Sequence, residues 1–325
     1  MIYTIYVATE PLPPLHYYLF IYQFYEMEFD MIKSFEELRD NMKATPKTLV
    51  VAAANDEHTL EAVYTAAAEL PMQLVLVGDR EKIISISSKL GIETERDSII
   101  DCKDNTECAH RAVALVKNGD GDVLMKGSLD TRTLLKAVVN REYGVRSSGI
   151  MSHLAILEVP SYHKLIGITD GGMVPNPTLG QKANIVRNAV QFFEHMGYER
   201  PMVAALCAAE TYKTKIPETV DAADLQTMSE KGELGNCILE GPLSFDIAIS
   251  RESADLKGFS SEISGNTDIL LVPNITSGNI MAKGIIYMAG AKMAGCVLGA
   301  QVPIVVTSRG ATAEEKFNSI LMSLI

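Results

Sequence analysis

Tryptophan is absent from the 325 residues, and cysteine is scarce, with an odd count of five and no Cys-x-x-Cys pair. This pattern excludes a disulfide framework and a zinc site of the usual Cys and His spacing, and it is typical of reduced thiols in a cytoplasmic protein. We expect most of these thiols to fill the core. They are Cys102, Cys108, Cys207, Cys237 and Cys296.

Positive charge is also in short supply. Lys and Arg number 29 against 41 Asp and Glu, which leaves a formal net charge of -12. Because the chain has no basic stretch, we expect no nucleic-acid partner. The uncharged run at 11–25 is too short to span a membrane and contains three prolines, so we expect no membrane partner either.

The first thirty residues differ in composition from the rest. No Lys or Arg precedes Lys33, and six of the 12 tyrosines lie between Tyr3 and Tyr25. We interpret 1–30 as an atypical N-terminal extension and expect translation to begin naturally at Met31, since an ordinary amphipathic helix follows it. An interaction arm is the alternative.

From residue 48 onward, short apolar runs alternate with helical stretches, which is typical of an α/β fold. Continuous apolarity indicates parallel strands that are buried on both faces. Open sheets of this kind bind ligands at the carboxyl ends of their strands, so we expect the site at that edge. The expected strands are 48–54, 73–77, 98–100, 122–125, 165–168, 203–206, 269–272 and 304–306.

Five strand ends carry Gly, Pro or small polar residues, and two of them carry a cation directly after the strand. Gly allows close approach to the backbone, and Ser or Thr caps a following helix whose N-terminus favours anions. We therefore expect a shared anionic site. No Walker, dinucleotide, zincin or nucleophile-elbow motif is present. Of the six histidines, which we expect on the surface or in the core, we single out His153, which enters a strand-like stretch to Val159.

Five motifs occur in order along the chain. They are Leu124-Met-Lys-Gly127, Ile168-Thr-Asp-Gly-Gly172, Leu239-Glu-Gly-Pro-Leu-Ser-Phe-Asp246, Val272-Pro-Asn274 with Gly278-Asn-Ile280, and Val306-Thr-Ser-Arg309. This ordered set resembles the phosphate acetyl/butyryltransferase family, and the resemblance runs from about Met31 to Ile325. Met-Lys-Gly at the first motif and the short chain resemble the butyryl branch rather than the acetyl branch.

The resemblance implies a reaction in which acyl-CoA and inorganic phosphate give acyl phosphate and CoA by direct transfer in a ternary complex. No metal or redox cofactor is implied. The preferred acyl group would be butyryl or a branched short chain, with acetyl as the alternative. An acyl kinase is the implied metabolic partner.

The resemblance also implies a two-domain fold like that of isocitrate and isopropylmalate dehydrogenases, with mainly parallel sheets and a cleft between the domains. Domain I would comprise 31–150 plus 298–325. Domain II would comprise 151–297 and form the interface of a homodimer or of a dimer-based oligomer.

Attack on an acyl carbonyl between two anionic reactants requires positive charge and well-aimed donors. The planar fork of Arg309 suits phosphate, and the hydroxyl of Ser308 suits the carbonyl or the phosphate. In the acetyl branch an Asp shortly after the Ser-Arg pair is the proposed base, and the same distance leads here to Glu315. The alternative is that Glu315 only belongs to a capping box with Thr312.

The other motif residues are expected to bind substrate. Lys126 would be a point charge for phosphate, Asp170 would orient a cation or donor, and the neutral amide of Asn274 would bind without a charge penalty. The full set of expected substrate-binding residues is Lys126, Gly127, Thr131, Lys136, Thr169, Asp170, Gly171, Asn274, Gly278 and Asn279.

Two other functions stay open at this point. A metal- and NAD-dependent hydroxy-acid dehydrogenase of the same fold would need a cluster of Asp ligands, and no Asp-x-x-x-Asp cluster stands on a suitable helix. A noncatalytic sensor of CoA or acyl phosphate would not need the intact Ser-Arg pair.

Overall fold

The computed structural model describes residues 31–42, 45–94, 98–147, 149–308 and 310–325. The chain divides into a short unit, Met1–Met31, and a large unit, Ile32–Ile325. Residues 1–30, and with them the expected extension, lie outside the described residues. Everything below concerns the large unit.

The first half alternates strands and helices as expected. Four of its helices begin after an Asp whose carboxylate accepts the backbone N–H three residues later: Asp56, Asp79, Asp104 and Asp130. Such caps satisfy donors that the first turn leaves unpaired. The elements are α1 (Phe35–Asp40), β1 (Lys47–Ala52), α2 (Glu57–Glu69), β2 (Met72–Gly78), α3 (Arg80–Lys89), β3 (Ser98–Asp101), α4 (Asn105–Asn118), β4 (Val123–Lys126) and α5 (Thr131–Val138).

The second half contains more strands than its apolar runs predict. Its elements are β5 (Ser152–Glu158), β6 (Ile166–Thr169), α6 (Leu179–His195), β7 (Met202–Leu206), α7 (Pro217–Glu230), β8 (Ile238–Leu243), α8 (Phe245–Ile249), α9 (Arg251–Leu256), β9 (Ile269–Leu271), α10 (Ile275–Ala289), β10 (Lys292–Leu298), β11 (Ile304–Val305) and α11 (Ala313–Ser323). The expected strands omit β10 altogether.

The strands of the described residues join one sheet of 11 strands, in the order β3-β2-β1-β4-β11-β10-β5-β6-β9-β7-β8. The pairs are parallel except in the middle, where β10 is antiparallel to β11 and to β5, and β5 is antiparallel to β6. The fold is therefore α/β with a mostly parallel sheet, as predicted. The division into two domains stays a prediction.

The three antiparallel pairs reverse the direction of the chain between the two halves of the sheet. As a result β6, β9, β7 and β8 run opposite to β1, β2, β3 and β4. The expectation that all carboxyl ends share one edge is wrong. Apolar runs report burial but not strand direction, so the sequence pattern carried no sign of the reversal.

The third motif, which begins at Leu239, is predicted to carry its Gly and Pro after the end of a strand, and the structure differs. Residues 239–243 lie within β8 rather than after it, although they include Gly241 and Pro242. Pro lacks the N–H that a central strand needs, and β8 tolerates it because this strand is the last in the sheet.

Buried apolar side chains cover both faces of the sheet. All five cysteines are free thiols, and only Cys207 is less than fully buried. Burial raises the pKa of every one of them, to about 12 for Cys108 and about 11 for Cys207. Among the described residues no helix combines the length and apolarity needed to cross a membrane.

Candidate active site

A cleft of about 480 Å³ lies over the antiparallel middle of the sheet. Alternate residues of β10 and β5 face it, and the ladder sets His153 opposite Val297 and Ala155 opposite Gly295. We call these side chains and their neighbours the cleft floor: His153, Ala155, Ile168, Met293, Gly295 and Val297. The rim carries polar groups from other elements, namely Thr131, Asn279, Lys283, Thr307, Ser308 and Glu315.

The second motif shapes the wall of this cleft. Asp170 is only 2% exposed, and its carboxylate accepts the N–H groups of Gly172, Met173 and Val174 at 2.8, 2.8 and 3.1 Å. The hydroxyl of Thr169 is equally buried and donates to the carbonyl of His153 at 2.9 Å. Both side chains are therefore committed to folding the loop, and neither is among the described residues that line the cleft.

Two glycines allow this loop to touch helix α10. A Cβ on Gly278 would lie 2.9 Å from Cα of Gly171 and 2.7 Å from a methyl of Val272. The side chain of Asn279 extends the contact, since its Nδ2 donates to the carbonyl of Gly171 at 3.3 Å. Gly171 and Asn279 line the cleft, whereas Gly278 is buried beneath them.

Asn274 serves as the N-cap of α10. Its Oδ1 accepts the N–H of Ser277 at 3.0 Å, and the hydroxyl of Ser277 accepts the N–H of Asn274 in return. This reciprocal pair is a capping box. The oxygen of the amide that the sequence suggests for substrate is thus used at the helix end.

The first motif behaves in a similar way. The ammonium of Lys126 donates to the carbonyls of Gly127 and Leu129 at 3.0 and 3.2 Å. Gly127 packs so tightly on β1 that a Cβ would lie 2.2 Å from the carbonyl oxygen of Ala53. Thr131, at the start of α5, reaches the cleft, and Lys136 is exposed five residues further along.

The fifth motif lies directly at the cleft. Ser308 and Gly310 both line it, and the hydroxyl of Ser308 accepts the N–H of Gly310 at 3.2 Å. Arg309 lies outside the described residues. The predicted catalytic pair is thus represented here by Ser308 alone.

Glu315 lines the cleft from the first turn of α11. Its backbone N–H donates to the hydroxyl of Thr312 at 3.1 Å, so the expected N-cap is present. Burial raises the pKa of its carboxyl, and the backbone of Thr312 and the charge of Lys316 offset part of that rise. Glu315 lines the cleft while its backbone N–H is capped by Thr312, so the two interpretations of this residue are compatible.

Lys283 and His153 line the cleft but are not among the predicted site residues. Lys283 lies one helical turn after Asn279 and brings a positive charge to the rim. The spacing of four residues after a motif Asn is the signal that could have identified it. His153 lies in the floor, and its place on the unpredicted β5–β10 pair hid that position.

The family profile described as "Phosphate acetyl/butaryl transferase" matches residues 105–324, which include every one of these cleft residues. The chain belongs to this family. Phosphate butyryltransferase of Clostridium acetobutylicum is 40% identical over 296 residues, covering 91% of this chain and 98% of the relative. Phosphate acetyltransferase of Thermotoga maritima is 39% identical over 290 residues, covering 89% and 98%.

A solved structure agrees with the family assignment. The branched-chain phosphotransacylase of Enterococcus faecalis V583 superposes with a TM-score of 0.77 at 32% sequence identity, covering 85% of this chain and 97% of that one. The mostly parallel α/β sheet is therefore shared with a phosphotransacylase. Both butyryl- and acetyl-named relatives lie at similar identity, so identity alone does not choose between the branches.

We predict that Gly278→Ala destabilises the protein by about 1 to 3 kcal/mol, the usual cost of overpacking, because the new methyl collides with backbone across the contact. Gly284→Ala is the matched control in the same helix, since a Cβ there meets nothing within 4 Å. This control should stabilise by about 0.5 to 1 kcal/mol. Urea unfolding followed by circular dichroism measures both, and equal effects of the two changes would contradict the role of the Gly171–Gly278 contact.

Proposed function

We propose that the protein is a phosphate acyltransferase, which converts acyl-CoA and inorganic phosphate into acyl phosphate and CoA. One observation carries the proposal: in a member of this family, a cleft with a largely apolar floor has Ser308, Glu315 and Lys283 at its rim. Such a site suits an acyl chain below and charged groups above. We also propose that the reaction needs no metal or redox cofactor.

The chemistry follows from the charges. A phosphate oxygen attacks the carbonyl carbon and forms a C–O bond, after which the C–S bond breaks and CoA leaves as a thiolate that takes up a proton. Negative charge builds on the carbonyl oxygen between two anions, so fixed donors and cations must stabilise it. Lys283 and Arg309 would supply the positive charge, and Ser308 would supply a hydroxyl.

The size and apolarity of the floor residues favour a short apolar acyl group as substrate. Ala155, Ile168 and Val297 are small or branched and lie side by side on neighbouring strands. We propose butyryl or a branched short chain as the preferred acyl group, consistent with a relative named phosphate butyryltransferase and a structure named branched-chain phosphotransacylase. Acetyl is the alternative.

We further propose the isocitrate dehydrogenase-like two-domain arrangement, a cytoplasmic location, a homodimer and coupling to an acyl kinase. For the dimer, helix α10 offers support. Ile280, Tyr287 and Met288 are 67%, 82% and 90% exposed on it, and their spacing brings them near one face. Apolar side chains exposed together suit a contact with a second copy.

The proposed function is tested by measuring release of the CoA thiol from acetyl-, butyryl-, isobutyryl- and isovaleryl-CoA, with and without phosphate, in the presence of EDTA. We expect phosphate-dependent release that favours four- or five-carbon chains. A preference for acetyl would assign the protein to the other branch. Absence of release from all four by folded protein would contradict the proposal.

We predict that Arg309→Ala lowers kcat by about 100-fold or more, because one well-placed donor to a developing anion is worth about that much. Arg309→Lys should recover only part of the activity, since an ammonium cannot hold two phosphate oxygens in a planar fork. Arg251→Ala, an exposed arginine on α9, is the control and should leave kcat unchanged. Full activity in both Arg309 variants would remove this residue from the mechanism.

We predict that Glu315 acts as the base that takes the CoA thiol proton when acyl phosphate and CoA react. Since burial raises the pKa of its carboxyl, protonation should reduce kcat/KM at a higher pH than for an exposed glutamate. Glu315→Gln should lower the rate by about 10² to 10⁴ and abolish this acidic limb.

Glu314→Gln provides the control for the Glu315 prediction. Glu314 is exposed and pairs with Lys292 at 3.3 Å, outside the residues that line the cleft. It should keep both the rate and the acidic limb. A Glu315→Gln enzyme with the wild-type pH profile would show that Glu315 has only a structural place in the first turn of α11.

A further inference from the structure

Four residues around the cleft converge on His153. The hydroxyl of Thr169 holds its backbone carbonyl, and the charge of Asp170 acts on its ring. A Cβ on Gly172 would lie 3.0 Å from Cγ of the ring, and one on Gly295 would lie 3.1 Å from Nε2. The imidazole therefore fills a slot between Gly172 and Gly295. A side chain at either glycine would displace the ring from this slot.

The two nitrogens of this ring differ in their surroundings. Nδ1 is buried and has no hydrogen-bond partner among the described residues. A proton on Nδ1 would be a buried donor without an acceptor, which is costly, so the neutral ring keeps its proton on Nε2. Burial lowers the pKa of His153 more than the charge of Asp170 raises it, which keeps the ring neutral.

His153 is also the free donor of the floor. Its described floor neighbours Ala155, Ile168 and Val297 are apolar. Beneath them, the hydroxyl of Ser319 is already engaged, because it donates to the carbonyl of Glu315 at 2.7 Å and accepts the N–H of Gly295 at 3.0 Å. Of the described floor side chains, the imidazole is the one that can offer an N–H to a polar atom of a substrate.

We propose that Nε2 of His153 donates a hydrogen bond to the acyl carbonyl oxygen of bound acyl-CoA, and that Thr169, Asp170 and Gly172 position the ring for it. This inference rests on the proposed acyl transfer. The carbonyl oxygen lies over His153, and the acyl chain extends over the adjacent apolar floor. A neutral donor suits this oxygen, since it helps the rim cations to stabilise the developing charge without burying a further charge in the apolar floor.

Three variants test the proposal with butyryl-CoA and phosphate. His153→Leu removes the donor and keeps an apolar side chain, and we expect kcat to fall by about 100-fold with KM for butyryl-CoA changed only a few-fold. His153→Gln restores an N–H and should recover part of that loss. His195→Gln is the control, because His195 is exposed on α6 and should leave kcat unchanged.

Thermal melting separates this role from a structural one. Removing an imidazole whose buried Nδ1 lacks a partner should leave the melting temperature of His153→Leu unchanged or raise it. A fall in melting temperature with kcat kept within threefold of wild type would overturn the proposal and make His153 a packing residue.

Nuclear magnetic resonance of the labelled imidazoles gives a readout that does not depend on turnover. In phosphate-free buffer butyryl-CoA is not consumed, so its complex with the wild-type protein can be observed, with the His153 signal assigned by its loss in His153→Gln. We expect this signal to shift with butyryl-CoA and to shift much less with CoA, which lacks the acyl carbonyl. Equal shifts would overturn the proposal even if His153→Leu did not fold.

Failure of the proposed function is recognised separately. A wild-type protein without phosphate-dependent thiol release overturns the acyl transfer and this inference together. A fully active wild type with an equally active His153→Leu variant overturns only the role of His153.

Discussion

The antiparallel ladder between β5 and β10 is the interaction on which the rest of the structure depends. It pairs seven residues of each strand in the middle of the sheet and connects two halves whose strands run in opposite directions. Because side chains alternate along a strand, alternate residues of this ladder line the cleft, whereas those between them pack in the core. The residues that line it are His153, Ala155, Met293, Gly295 and Val297. A slip of one residue would exchange the two faces, so this register defines the floor of the site.

Around that floor, most motif residues stabilise a loop or a helix end rather than line the cleft with their side chains. Asp170 folds its loop, Asn274 caps α10, and Gly171 and Gly278 allow a helix and a loop to touch. Short polar side chains that suit anions are the same ones that satisfy backbone N–H groups at turns and helix ends. A motif of Asp, Asn and Gly therefore identifies the place of a site more reliably than it identifies the atoms that meet the ligand.

This distinction explains how far the sequence can be interpreted. Strand and helix positions could be predicted because apolar runs and Asp caps are local signals, as at β1 and Asp56. The reversal at β10 and the placement of β8 could not, since they depend on pairing between distant segments. Ser308 and Glu315 were found through their motif, whereas the floor position of His153 depends on cross-strand neighbours that no spacing along the chain reveals.

The state of the cysteines has a consequence for an enzyme that handles a thiol. Exchange between a thiol and a disulfide proceeds through the thiolate, and burial raises the pKa of all five cysteines here. None of them is therefore a ready partner for a mixed disulfide with CoA. The CoA thiol itself forms no disulfide without an oxidant, and buried thiols of raised pKa react slowly even with CoA disulfide. The cysteines should therefore stay free thiols while CoA is released beside them.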